Sequence, residues 1–173
     1  AAAAMSPRFR DIRLRFFAEE QDDKRMQQFA AVTFLLPGRE AFIAFRGTDS
    51  TLTGWKEDFN MALISPIPSQ ETAAKYLAAV GRRLIFRRTL MTGGHSKGGN
   101  LAVYAAMTAA PALQKRIAAI YNHDGPGFKT GVLDHPGYRT VEPRVIKILP
   151  QSSIVGMLLT GRDDYAVVES RRF

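Results

Sequence analysis

Apolar and charged residues alternate from Asp11 to Phe16, which at period two puts Ile12, Leu14 and Phe16 on one face of a strand. The polar run 19–28 predicts a loop or a short helix. Two apolar runs follow, 29–36 and 41–45, split by Pro37, Gly38, Arg39 and Glu40, a hairpin signal. After Pro66 and Pro68, Ser69 is placed to cap a helix reaching Val80, with Ala73, Leu77 and Val80 at helical spacing and Arg82 and Arg83 at its basic end. A short apolar run then stops at Gly93 and Gly94, and an Ala-rich helical pattern runs to about Ala109 before Pro111. Further strands are predicted at 117–121, 145–149 and 165–168. A short apolar helix is expected to open at Ser152 or Ser153 and to stop at Gly161. Strands alternate with helices from Ser69 onward, so the pattern predicts an α/β fold. Its sheet is mostly parallel with helices on both faces, preceded by the antiparallel hairpin.

The stretch Gly93-Gly94-His95-Ser96-Lys97-Gly98-Gly99-Asn100 carries the candidate chemistry. The spacing Gly94-x-Ser96-x-Gly98 between a strand and a helix matches a nucleophile elbow, where small neighbours keep strand and helix apart and the serine stands on a sharp turn. A serine hydroxyl needs a base to take its proton and a pocket to hold the oxyanion. The elbow aims Oγ above the sheet and sets the Lys97 N–H at a helix N-terminus, where negative charge is favoured. A phosphate-binding loop fits less well, because no Gly-x-x-x-x-Gly-Lys-Ser/Thr pattern is present.

Composition narrows the picture further. With 173 residues, 46% hydrophobic and 23% charged, the chain reads as one soluble domain over residues 5–173, after four alanines resembling a remnant or unassigned positions. The start and the end at Phe173 suggest a piece of a longer protein, truncated at both ends. The absence of cysteine removes disulfide, thiolate-metal and cysteine-nucleophile chemistry and favours a reducing, cytoplasmic compartment. The net charge of +8 raises nucleic acid or anionic membrane as partners. The arginines are scattered without interleaved stacking aromatics, which argues against nucleic acid, and nothing in the pattern specifically indicates a membrane. No apolar run is long enough for a spanning helix and no signal-peptide pattern appears.

Taken in order, these blocks resemble α/β-hydrolases of the class 3 lipase type, and more closely the bacterial lipase-like family known as domain of unknown function 2974. The resemblance covers nearly everything from Phe9 to Ser170. It rests on 28–34, on Phe45-Arg46-Gly47-Thr48-Asp49 with 54–61, on the elbow, on Asp124-Gly125-Pro126-Gly127-Phe128 and on 150–158. It implies an α/β-hydrolase fold and a serine esterase or lipase-like activity on a small-molecule ester or lipid, with no metal or organic cofactor. Ser96 matches the nucleophile, Thr48 the residue giving an oxyanion-hole N–H and hydroxyl, and the Lys97 N–H would be the other donor. Arg46 and Asp58 are expected to form a structural pair beside Trp55.

The triad is incomplete in this reading. Lipases of this type carry their acid just after the strand that here ends in Ile148 and Leu149, but this chain has Pro150-Gln151-Ser152-Ser153 there. Asp124, Asp163 and Asp164 are the acid candidates. The histidines are His95, His123 and His135, and the position matching the family's catalytic histidine lies beyond Phe173. The alternative is a non-catalytic, hydrolase-like module that keeps the elbow as architecture and binds a lipid or a partner protein. Oligomeric state is not legible.

Overall fold

Seven strands form one sheet whose spatial order is the order of the chain. The computed structural model describes residues 5–48, 52–84, 89–159, 161 and 164–169. Strands β1 (Arg13–Asp22), β2 (Gln27–Leu35) and β3 (Glu40–Phe45) make an antiparallel meander. From β3 onward, β4 (Thr89–His95), β5 (Ile117–His123), β6 (Val145–Pro150) and β7 (Tyr165–Val168) run parallel. The helices are α1 (Leu52–Leu63), α2 (Pro68–Arg83), α3 (Lys97–Thr108), the single turn α4 (Pro111–Gln114) and α5 (Pro136–Val141).

The α/β-hydrolase fold and its leading hairpin are as expected, with three local differences. The polar run 19–28 is not a loop or helix: Glu19 to Asp22 extend β1, and the chain turns only at Asp23 to Met26. An edge strand is solvated along one side, so its ladder tolerates polar residues that a central strand would not. The helix expected after Ser152 is only a 3₁₀ turn, Val155–Met157. Ser69 does not cap α2, which starts at Pro68; Gln70 Oε1 accepts the Ile67 N–H at 3.0 Å instead.

Period two decides which face is covered. Ala41, Ile43, Phe45, Leu90, Thr92 and Ile120 are buried, and the apolar ones join Ala73, Leu77, Val80, Leu101, Tyr138 and Val141 of α2, α3 and α5 in one cluster. Leu77 and Leu101 are fully buried, each contributing about 2 kcal/mol of transfer free energy. The alternate residues Phe42, Met91, Tyr121 and Ile146 lie on the opposite face and remain half-buried or exposed. Among the described residues the helical layer therefore meets the expectation on one face. The small residues Gly98, Ala102, Ala105 and Ala106 let α3 lie close on the sheet, which brings its N-terminus directly to the end of β4.

Candidate active site

Ser96 joins β4 to α3 with φ 54° and ψ −129°, a conformation L-residues occupy rarely and at a cost of about 1–3 kcal/mol. Close packing around the turn enforces it. A Cβ on Gly94 would stand 2.5 Å from the Gly98 carbonyl carbon, and one on Gly98 would collide with the Phe45 carbonyl oxygen. Backbone bonds hold the turn as well: Ser96 N–H donates to the His123 carbonyl at 2.9 Å, and Gly99 N–H to the Ser96 carbonyl at 2.9 Å. Ser96 is half-buried at the carboxyl end of the parallel strands, where α/β folds build their sites.

The loop after β3 is pressed against this turn. A Cβ on Gly47 would lie 2.6 Å from the His95 carbonyl oxygen and 3.5 Å from Ser96 Cβ, so only glycine permits the approach that sets half-buried Thr48 next to the elbow. Arg46 Nη1 pairs with Glu19 Oε1 at 2.9 Å. The side chains of Asp58 and Trp55, expected beside it, lie outside the described residues, as does Asp49.

Lys97 contributes more than its N–H. Its side chain is fully buried, and Nζ spends its three protons on Glu57 Oε2 at 2.8 Å, the Gln28 carbonyl at 2.8 Å and Gln28 Oε1 at 3.0 Å. Glu57 is equally buried. Its carboxylate also accepts the Gln28 and Ser69 N–H groups at 3.0 and 3.1 Å, with Ser69 Oγ at 2.6 Å. The pair ties α1 to β2, α2 and the elbow. Asn100 does the same toward β5: its amide donates to the Gly127 carbonyl at 2.8 Å and accepts from Gln70 Nε2 at 2.8 Å. Sequence reasoning missed both connections. The one local signal was a lysine inside an otherwise small-residue elbow at the start of a helix due to be buried.

The acid candidates separate by position. Asp124 stands just past β5, the strand beside β4, with φ 54°. Its Oδ1 accepts the Ser153 hydroxyl and, at 3.1 Å, the Gly156 N–H. Asp124 thereby reaches into the segment after β6. Asp164 is exposed at the start of β7, three strands from β4 or about 14 Å by strand spacing alone. Asp163 lies outside the described residues.

His95 and His123 are exposed register partners at the carboxyl ends of β4 and β5, and the His123 ring meets Tyr121 edge-on at 6.2 Å. His135 is elsewhere. Its Nδ1 accepts the Gly137 N–H at 3.1 Å, capping α5, and Gly137 packs against the Met107 carbonyl. Met107 is eleven residues along α3 from Ser96, about 16 Å at the helical rise. Among the described residues no group of three or more His, Cys, Asp or Glu is arranged to hold a metal ion.

A family model described as Mbeg1-like matches residues 3–172, nearly the whole chain. The chain belongs to the Mbeg1-like family. Two solved structures share the fold of this Mbeg1-like chain. One is a fungal lipase in complex with an inhibitor, at TM-score 0.64 and 14% identity over 84% of this chain and 60% of the lipase. The other is the M37 lipase, at TM-score 0.61 and 15% identity over 86% of this chain and 58% of that one. The Mbeg1-like chain thus spans less than two thirds of either lipase. At such identities the likeness establishes a lipase-type α/β-hydrolase fold. No curated protein matches the sequence.

Proposed function

We propose that the protein is a serine hydrolase of the esterase or lipase-like kind, acting on carboxylic esters or lipids. The observation that carries this reading is the strained Ser96 turn, held at the carboxyl end of the sheet with the Gly47–Thr48 loop against it. A positive-φ serine is maintained at a cost, and exposing a nucleophile beside N–H donors accounts for that cost.

In the proposed mechanism Ser96 Oγ attacks the ester carbonyl carbon while an imidazole oriented by a carboxylate takes the proton. The tetrahedral oxyanion accepts the Lys97 N–H and the Thr48 N–H and hydroxyl. Collapse expels the alcohol with that proton, and water then frees the acid from the acyl-enzyme. Asp124 is the proposed carboxylate. Its bond to Ser153 supports the assignment, since class 3 lipases carry their acid in that same segment after β6. The reaction uses no metal or organic cofactor in this proposal, and the whole of residues 5–173 acts as one domain.

A non-catalytic, ligand-binding module is the second reading, favoured by the position of His135 at the far end of α3. A fluorophosphonate probe distinguishes the two. Labelling of the wild type that disappears in Ser96→Ala supports the hydrolase, whereas no labelling, or equal labelling of the variant, supports the module. In the hydrolase, Thr48→Val lowers ester turnover about ten- to a thousandfold with little change in KM.

A further inference from the structure

The end of the sheet opposite Ser96 gathers charge and exposed apolar surface together. Arg8, Arg10, Arg13 and Arg15 lie before and at the start of β1, and Arg82 and Arg83 end α2; all six are exposed. The Arg83 guanidinium sits 5.8 Å over the Phe16 ring, so the two groups adjoin. Acidic neighbours are few: Asp11, which faces Arg10 at 3.7 Å, and Glu40 at the start of β3. Along the chain Phe9 stands between Arg8 and Arg10, and Leu14 between Arg13 and Arg15 but on the other face of β1; they are 45% and 58% exposed. Both line an open apolar cavity of about 510 Å³ that continues over Phe34, Leu36 and Phe42 on the uncovered face of the sheet.

We propose that this amino-terminal end of the sheet docks onto an anionic lipid bilayer. Arginine heads pair with lipid phosphate and carboxylate groups while their stems, Phe9 and Leu14 enter the headgroup–acyl boundary, a few ångströms deeper. A nucleic acid would engage the arginines but leave the apolar cavity unused. The site itself is at the other end: β4 alone, seven residues long, separates the two by about 20 Å. Docking here fastens the protein to the membrane with Ser96 facing away from it, which makes the patch a tether and not the mouth through which a lipid substrate enters.

The test is co-sedimentation of the full chain with vesicles of phosphatidylcholine alone or mixed with phosphatidylserine, at low and high salt. The expected result is binding to the mixed vesicles only, reversed by salt. Arg13→Gln/Arg15→Gln/Arg82→Gln/Arg83→Gln lowers partitioning about fivefold per charge, thus by more than about a hundredfold, and leaves fluorophosphonate labelling at its wild-type rate. Phe9→Ser/Leu14→Ser weakens binding while keeping its salt dependence. Lys24→Gln/Arg25→Gln, at the opposite end, leaves binding unchanged. Should the quadruple variant lose its circular dichroism, Arg82→Gln/Arg83→Gln alone gives about a twenty-fivefold loss. Equal binding to neutral vesicles, unchanged binding of either arginine variant, an equal loss in Lys24→Gln/Arg25→Gln, or tighter capture by duplex DNA than by mixed vesicles each overturns the proposal.

Discussion

Lys97 follows Ser96 in sequence, but its side chain is fully buried beside Glu57 and Gln28, and every proton of its ammonium has an acceptor. A buried pair of this kind adds little over an apolar pair of equal volume, yet removing one partner strands the other charge. Lys97→Met is therefore expected to cost about 3–5 kcal/mol, measured by urea denaturation. Lys97→Met/Glu57→Gln loses less than the sum of the two single variants, and strict additivity in that cycle would show that the two side chains do not couple. His135 belongs to the same scale. Its ring caps α5 at a distance from Ser96, so His135→Ala lowers the melting temperature slightly while ester turnover and Ser96 labelling stay at wild-type rates. An activity lost in that variant with the fold intact would place the base where the geometry puts only a cap.

Among the elements, the elbow converts packing into backbone strain. Because Ser96 holds φ 54°, replacing it by glycine relieves a conformational cost that alanine retains. Ser96→Gly is expected to be about 1 kcal/mol more stable than Ser96→Ala, both being inactive, and the reverse order would show the turn relaxes without glycine. Helix α2 is fastened to the meander by Tyr76, whose hydroxyl donates to the Phe16 carbonyl at 2.5 Å and lies 3.0 Å from Thr33 Oγ1. Burial pushes the Tyr76 phenol above its ordinary value of 10, outweighing the opposing effect of the Thr33 hydrogen bond. The unfolded chain then gives up this proton at a lower pH than the folded one. Stability from this source is complete below pH 10 and declines as pH rises beyond it, and Tyr76→Phe removes that decline in alkaline denaturation.

At the scale of the whole molecule, the sheet separates two kinds of surface. Its carboxyl end carries the candidate site, with Ser96, Asp124 and Thr48 on the ends of β4, β5 and β3. Its amino end carries six exposed arginines beside apolar side chains. The charge of +8 read from composition looked scattered because Arg13 and Arg82 are far apart in the chain, and only the packing of α2 on the meander brings their neighbourhoods together. Among the described residues no helix is long and apolar enough to cross a membrane.

What the sequence determined by itself was local. Period-two alternation, turn residues and the glycines around Ser96 act within a window of a few residues, so β2 through β7, α2, α3 and the elbow were legible directly. Strand β1 was legible only to Phe16, because an edge strand demands no apolar pattern from its polar half. Tertiary structure decided the rest. Glu57 and Lys97 are forty residues apart, Gln28, which bonds both, is 29 residues from one and 69 from the other, and no local preference records that a lysine will be buried with a carboxylate. The meeting of Asp124 with Ser153 likewise needs β5 and β6 side by side in one register. Side-chain partners across strands and helices are fixed by long-range packing, and a single sequence carries the residues for such contacts without the distances between them.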